Sequence, residues 1–350
     1  MPKIAVIPGD GIGHEVLDEG LKVLRHLDRQ AGLDLSFEHL DYGADRYLRD
    51  GITITPEEMQ SLGDDYDAIF LGALGDPRVP SNVHAKDILL GMRFQLDLYI
   101  NLRPVKLLDA RYCPLKDRGP EDLCFTVFRE NTEGLYTGVG GQFKRGTLDE
   151  VAIEAELNTR KGVERIIRAA FEFAQERGLK RLCMSDKSNA MKHGHDLWQR
   201  VFKAIGSEYP EIEPRHLFID VLTMEMVRAP DSFDVIVTNN LFGDIVTDLG
   251  AQLQGGIGLA ASGNLNPARG IGMFEPVHGS DPDIAGKGIA NPLAAILSAG
   301  MMVGWLGNPE LEARVEAAVR SCLEADQVTP ELGGTLSTAA VGDAVVGYLA

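Results

Sequence analysis

Two aspartates in the run Asn239-Asn240-Leu241-Phe242-Gly243-Asp244-Ile245-Val246-Thr247-Asp248-Leu249-Gly250 stand four residues apart, and Leu241, Ile245 and Leu249 recur at the same interval. That interval is the repeat of a helix, so both carboxylates leave one face of it. Like charges so placed repel and weaken the helix. A divalent cation reverses the sign, because hard carboxylate oxygens are what Mg²⁺ or Mn²⁺ prefers. From spacing alone a solvated helix face is the commoner explanation, and only other groups nearby can change that. Arg93, Arg103 and Arg129 are the first such groups. Each alone fits a surface side chain. Three of them flanking apolar segments of an acidic chain suggest a clamp for carboxylates, since the guanidinium fork matches a carboxylate two bonds at a time. Lys187 and Asp220 complete the set, each directly after a short strand-like run.

These side chains need elements to carry them. Phe233 to Thr238 is a β-branched run that reads as a buried strand leading into the Asp244 helix. Arg181 to Asp186 and His216 to Ile219 read as strands that deliver Lys187 and Asp220, and Phe125 to Phe128 as the strand before Arg129. A Lys or Asp after one strand is usually a solvated cap, but three strands bringing Lys187, Asp220 and Asp244 to carboxyl ends is the arrangement of α/β ligand sites. Arg93 falls in a helical pattern and Arg103 in an extended segment before Pro104. Earlier, Lys3 to Ile7, Leu35 to Leu40 and Ala68 to Leu71 read as strands, with a helix over about 14–27. Strands alternating with helices make the fold α/β. The turn Gly9-Asp10-Gly11-Ile12-Gly13 is GxGxG, not GxGxxG, and backbone need explains its glycines better than phosphate binding does.

Around 137–160 the rhythm breaks. Val151, Ile153, Ala155 and Leu157 alternate with Ala152, Glu154 and Glu156, a period of two that predicts a hairpin arm, and an arm needs a partner surface. A helix follows with Val163, Ile166, Ile167, Ala170, Phe171 and Ala174 on one face. Gly255 to Gly263 reads as flexible and rich in free amides, and Phe274 to Pro292 as a long ordered loop, the kind that is often functional. The apolar run from Leu293 to Gly307 is interrupted by Ser298, Gly300 and Gly304. It is short for a membrane span and fits a buried helix or a subunit contact. The remainder is helical.

With 350 residues the chain predicts two domains. A composition of 44% hydrophobic and 25% charged residues is that of a globular protein. The net charge of −18 argues against nucleic acid and anionic membranes as partners. Cys113, Cys124, Cys183 and Cys322 are scattered without metal spacing, which predicts reduced thiols in a cytoplasm. The first residues lack a signal-peptide core.

Six motifs occur in one order: Ile7 to Gly13, Asn101-Leu102-Arg103-Pro104, Arg129 to Tyr136, Asp186-Lys187-Ser188-Asn189, Asn240 to Asp248 and Glu275-Pro276-Val277-His278-Gly279-Ser280. Together they resemble the β-decarboxylating dehydrogenases, the isocitrate/isopropylmalate dehydrogenase family, over nearly the whole length. The resemblance implies a two-domain fold with a mixed sheet, not a Rossmann fold. One domain would combine residues 1–98 and 250–350 on the cofactor side. The other, 99–249, would carry substrate, metal and the arm, with the site in the cleft between them. It also implies a homodimer whose subunits share active sites.

By the same resemblance, Arg93, Arg103 and Arg129 hold substrate carboxylates. Asp244 and Asp248, with Asp220 from the neighbouring subunit, hold Mg²⁺ or Mn²⁺ and through it the substrate. Lys187 and Tyr136 form the acid–base pair. Lys187 would help remove the 2-hydroxyl proton as hydride leaves C2 for NAD⁺, and Tyr136 would protonate C3 after loss of CO₂. Glu275, His278, Gly279, Ser280, Asp283, Ile284 and Asn291 would contact NAD, with Asn189 near the nicotinamide. Asp283 stands where a carboxylate accepts from the ribose hydroxyls and repels a 2′-phosphate, which favours NAD over NADP.

Leu89 and Leu90 match the positions that face the third substituent of a substituted malate. Two leucines suit an isopropyl group better than a carboxylate, which points to 3-isopropylmalate and leucine synthesis. Tartrate, D-malate, homoisocitrate and other 3-alkylmalates remain alternatives, because an apolar pocket separates such groups by only about 1–3 kcal/mol. The Arg-Glu-Asn-Thr-Glu-Gly form at 129–134, Lys86 where relatives often carry Glu, and Asp281 in the cofactor loop keep them open. A non-catalytic regulatory subunit would have lost some of Tyr136, Lys187 and the three aspartates. A solute-binding protein would not need them.

Overall fold

A computed structural model describes residues 1–350, in two compact units. The first unit comprises Met1–Leu98, Lys106–Pro120 and Ala251–Ala350, and the second Tyr99–Val105 and Glu121–Gly250.

In the first unit, β1 (Lys3–Gly9) is apolar and mostly buried. It turns through the glycine-rich segment into α1 (Gly13–Ala31), which buries Val16, Leu17, Leu21, Leu24 and Leu27 and stops at a left-handed Gly32. Backbone approach explains the turn's glycines. A Cβ on Gly11 would lie 2.0 Å from the carbonyl oxygen of Ser280, and one on Gly13 would lie 2.3 Å from that of Pro8. β2 (Ser36–His39), α2 (Ala44–Asp50), α3 (Pro56–Asp64) and β3 (Ala68–Ala73) follow. α3 starts with a capping box between Thr55 and Glu58 and with Pro56 in its first turn. A 3₁₀ turn (Pro80–Asn82), α4 (Val83–Ala85), a π-turn (Lys86–Leu90) and α5 (Gly91–Gln95) lead to Arg93.

The second unit contains β4 (Ile100–Lys106), β5 (Cys124–Glu130), the hairpin β6 (Gly140–Phe143) and β7 (Val151–Glu154), then α6 (Arg160–Glu176), β8 (Arg181–Asp186) and α7 (Gly194–Gly206). β9 (Glu213–Phe218), α8 (Ile219–Arg228), β10 (Val235–Thr238) and α9 (Asn240–Leu253) complete it, apart from Lys106 of β4 and the last residues of α9. Its strand order is β4-β5-β10-β8-β9, and β5, β10, β8 and β9 are mutually parallel. The hairpin is antiparallel, pairs Gly140 with Glu154 and Phe143 with Val151, and is exposed throughout.

Back in the first unit, β11 (Ala261–Asn266) and β12 (Ile271–Pro276) precede α10 (Leu293–Trp305), α11 (Pro309–Glu324) and α12 (Thr338–Leu349). The strand order here is β2-β1-β3-β12-β11. All neighbours are parallel except β11 and β12, so the sheet is mixed, as expected.

β11 has no counterpart among the expected strands, and the end of β12 lies where a long loop is expected. Both strands are buried although β11 reads Ala-Ser-Gly-Asn-Leu-Asn, because its polar groups find internal partners. The Ser262 hydroxyl donates to the Glu275 carbonyl at 3.0 Å. Asn264 donates to the Glu275 carboxylate at 2.9 Å, and Asn266 to the Asp97 carbonyl at 2.8 Å. α10 is buried on nearly every side by α1, α11 and β12 of its own unit, so its apolar character needs no subunit contact. No helix is long and apolar enough to cross a membrane.

Candidate active site

The second unit gathers most of the expected polar groups around α9. Arg129, at the end of β5, is 1% exposed. Its Nε and Nη2 donate to Asn240 Oδ1 at 3.0 and 2.7 Å, and its Nη1 pairs with Asp244. The guanidinium lies 5.1 Å from the Tyr136 ring centroid, and the Tyr136 hydroxyl donates to Asp244 Oδ2 at 2.6 Å. Arg103, in β4, donates to Asn101 Oδ1 at 2.8 Å and to Thr247 Oγ1 at 2.6 Å. It also stands 3.7 Å from Asp244 and 4.0 Å from Asp248.

These neighbours treat the two aspartates differently. Burial pushes Asp244 up, but the Arg129 charge, the Tyr136 hydroxyl and Arg103 outweigh it and hold the carboxyl below its ordinary range. Asp248 is pushed up, first by burial and then by Asp244, against the arginines. One carboxylate ionises readily and the second reluctantly, so a cation bound to both would remove a real repulsion. Asp220 is not with them. It sits in the first turn of α8, 2.6 Å from Lys187 Nζ, and that contact holds its carboxyl low. No cluster of three metal-ligating side chains forms within one copy of the chain. Asn189 is exposed on the turn after β8.

Arg93, Leu89 and Leu90 belong to the first unit. Arg93 is buried and donates to Glu275 Oε1 at 3.0 Å, while its Nε has no partner within the protein. Leu89 packs at the edge of the core around Ile88 and Met92, and both leucines are half-buried. The segment from His278 to Asn291 is held against α1: the Ser280 carbonyl accepts the Ile12 N–H at 2.8 Å, and Glu15 accepts the N–H groups of Gly286 and Gly288 at 3.2 and 3.1 Å. Ile284 packs against Ile12, Val16 and Ala290. Asn291 Nδ2 and His278 Nε2 are shielded and lack protein partners, and Gly279 faces open space. Such orphaned groups suit a polar ligand in this loop. Asp283 is exposed.

Several supporting residues are not among the expected site residues. Asn240 and Asn101 orient the guanidiniums, and Thr247 fills the helical position between the aspartates. Glu130 is buried and accepts from Thr132 N, Thr132 Oγ1 and Glu133 N at 2.9, 2.7 and 2.8 Å, which folds the segment leading to Tyr136. Asn240, Asn101, Thr247 and Glu130 all lie inside the motifs that carry the resemblance. Their polar type beside apolar strands was the available signal.

Comparison with known proteins identifies the family. Residues 3–345 match the isocitrate/isopropylmalate dehydrogenase family. The chain is 48% identical over 342 residues to a 3-isopropylmalate dehydrogenase of Thermobifida fusca, covering 97% of this chain and 96% of that one. It is 50% identical over 349 residues to the protein of the same name from Corynebacterium jeikeium, with 99% of each covered. Among solved structures, isocitrate dehydrogenase from Methylococcus capsulatus superposes with a TM-score of 0.90 at 35% identity, over 100% of this chain and 99% of that one. The buried arginines, the paired aspartates and these matches along nearly every residue place the chain in the isocitrate/isopropylmalate dehydrogenase family.

Proposed function

We propose that this chain catalyses the oxidative decarboxylation of 3-isopropylmalate, giving 4-methyl-2-oxopentanoate, CO₂ and NADH from the malate and NAD⁺, as a step of leucine synthesis. The observation that carries the reading is near-half identity, over almost the full length, to relatives named for that reaction. The half-buried Leu89 and Leu90 support it over a substrate with a third carboxylate.

Arg93, Arg103 and Arg129 hold the substrate's carboxylates. Asp244 and Asp248, with Asp220 of a second copy, hold Mg²⁺ or Mn²⁺, while the His278–Asn291 loop holds NAD. Bound there, the cation supplies Lewis-acid polarisation and NAD supplies a hydride acceptor. Lys187, directly or through a water, takes the 2-hydroxyl proton. Tyr136, fixed between Arg129 and Asp244, returns a proton at C3 once the carboxylate has left. Asp283 favours NAD over NADP.

The apolar surface of the second unit supports a homodimer. The arm exposes Val139, Phe143, Leu148 and Ile153, and α8 exposes Met224 and Val227, side chains that a monomer would leave in water. Four free thiols fit a reducing cytoplasm. The test is NADH formation from 3-isopropylmalate and NAD⁺ with Mn²⁺, repeated with EDTA. Turnover abolished by EDTA is expected, and turnover indifferent to EDTA contradicts the metal assignment.

A further inference from the structure

We propose that His195 is a positioning residue for Lys187 and couples it to the root of the arm. The inference rests on the acid–base role proposed above for Lys187.

His195 is the second residue of α7 and is fully buried. Its Nδ1 lies 2.6 Å from the backbone nitrogen of Lys187. A peptide N–H can only donate, so Nδ1 accepts and the ring proton sits on Nε2. Nε2 then donates to Glu156 Oε1 at 3.1 Å. Asn239 Nδ2 donates to the same oxygen at 2.9 Å. The Asn239 amide is oriented by its own Oδ1, which accepts the Phe242 N–H at 2.8 Å in the first turn of α9. The 3.2 Å between His195 Nε2 and Asn239 Nδ2 is therefore two donors converging on one carboxylate oxygen. The Phe242 ring stands at 87° to the imidazole with centroids 5.6 Å apart and closes off its plane.

One turn along the same face of α7, Trp198 Nε1 donates to Asn158 Oδ1 at 2.8 Å. Gly194 leaves room for this contact, since a Cβ there would meet Asn158 Nδ2 at 2.6 Å. Residues 156 and 158 alternate along the extended segment that leaves the arm, and α7 grips both. One imidazole thus holds the arm's root with one nitrogen and the Lys187 peptide with the other. Through Asn239 it also touches the start of the helix that bears Asp244 and Asp248. The peptide position sets where Lys187 Nζ falls, and displacement of a reacting group by about 1 Å costs on the order of 10²-fold in rate.

Two near-isosteric substitutions separate the two nitrogens. His195→Asn keeps an acceptor where Nδ1 stands and gives up only the ring's bond to Glu156, which Asn239 still holds. His195→Gln keeps a donor near Nε2 and leaves the Lys187 N–H without its acceptor. The experiment measures kcat, KM and thermal unfolding for both in the full-length protein, with 3-isopropylmalate, NAD⁺ and Mn²⁺, beside Lys187→Met and Glu156→Ala. The expected result is a kcat about 10²-fold lower at near-normal KM for His195→Gln, and a kcat within about threefold of the parent for His195→Asn. Glu156→Ala, which leaves His195 in place, lowers kcat about tenfold through the loosened arm. An inactive Lys187→Met with a fully active His195→Gln overturns the inference alone. A fully active Lys187→Met overturns the reading of the site, and the inference falls with it. Should neither His195 variant fold, unchanged kcat in Glu156→Ala overturns the link to the arm.

Discussion

The Tyr136 hydroxyl donates to Asp244 Oδ2 across 2.6 Å, and Arg129 both pairs with that aspartate and lies over the tyrosine ring. The proposed proton donor and a proposed metal ligand therefore fix one another's position through a buried guanidinium. That triangle is contained within the second unit, so it exists before any ligand arrives.

Tyr136→Phe keeps the ring under Arg129 and removes the proton. Turnover is expected to fall by about 10²–10⁴-fold, the usual worth of a positioned acid or base. Stability should drop by only about 1 kcal/mol for the lost hydrogen bond. Steady-state kinetics and urea unfolding measure the two, and parental turnover would remove Tyr136 from the reaction.

Asp244 and Asp248 should respond oppositely when the metal-free protein is unfolded in EDTA. Asp244→Asn takes a charge from the buried Arg129 and is expected to cost about 1–3 kcal/mol. Asp248→Asn relieves repulsion from Asp244 four residues earlier and should be neutral, or stabilising by about 0.2–0.5 kcal/mol. Both variants should lose Mn²⁺-dependent turnover. Equal destabilisation by the two substitutions would contradict the electrostatic asymmetry of the pair.

Gly243 is where Arg129 passes α9. A Cβ there would lie 2.4 Å from Arg129 Cγ and 2.6 Å from its Cβ, and Arg129 is too tightly held to give way. Gly243→Ala therefore displaces the arginine, with a loss of about 1–3 kcal/mol typical of overpacking. A raised KM for 3-isopropylmalate should accompany it. Unchanged KM in a folded Gly243→Ala protein would argue against Arg129 as a substrate ligand.

What the sequence revealed follows from how local each signal is. β1, β3, β8 and β10 are apolar runs between turn residues, and α6 repeats Val163, Ile166, Ile167 and Ala170 on one face, so short windows suffice. β11 was illegible because its Ser262, Asn264 and Asn266 are polar, and their partners, Glu275 and Asp97, are distant in the chain or on the next strand. α3 was legible and passed over, since Thr55, Pro56 and Glu58 carry its start signal. At the site, the four-residue spacing of Asp244 and Asp248 could be read directly. The network of His195, Glu156 and Asn239 could not, because it joins three segments that only the folded chain brings together.

Asp234 supplies a pH dependence away from the site. Burial pushes its carboxyl up, but the Arg181 guanidinium and the backbone N–H groups of Lys180 and Arg181 outweigh it, so the folded pKa is depressed. A depressed carboxylate contributes stability above its unfolded value near 4, and that contribution is lost as pH falls through the folded value. Arg181 is half-exposed and solvent screening trims the effect. Asp234→Asn should therefore cost about 1–2 kcal/mol at pH 7, with the gap to the parent protein closing below pH about 4. Urea unfolding at several pH values measures it, and a gap that stays constant with pH would contradict the assignment.

The central claim is the choice of substrate, and kcat/KM decides it. The measurement compares 3-isopropylmalate with isocitrate, homoisocitrate, tartrate and D-malate, each with NAD⁺ and Mn²⁺. 3-Isopropylmalate is expected to lead tartrate and D-malate by about 10-fold or more, the worth of an alkyl group in a leucine-lined pocket. The tricarboxylates are expected to lag further, because their third carboxylate would be buried against Leu89 and Leu90. A higher kcat/KM for isocitrate or homoisocitrate than for 3-isopropylmalate would contradict it.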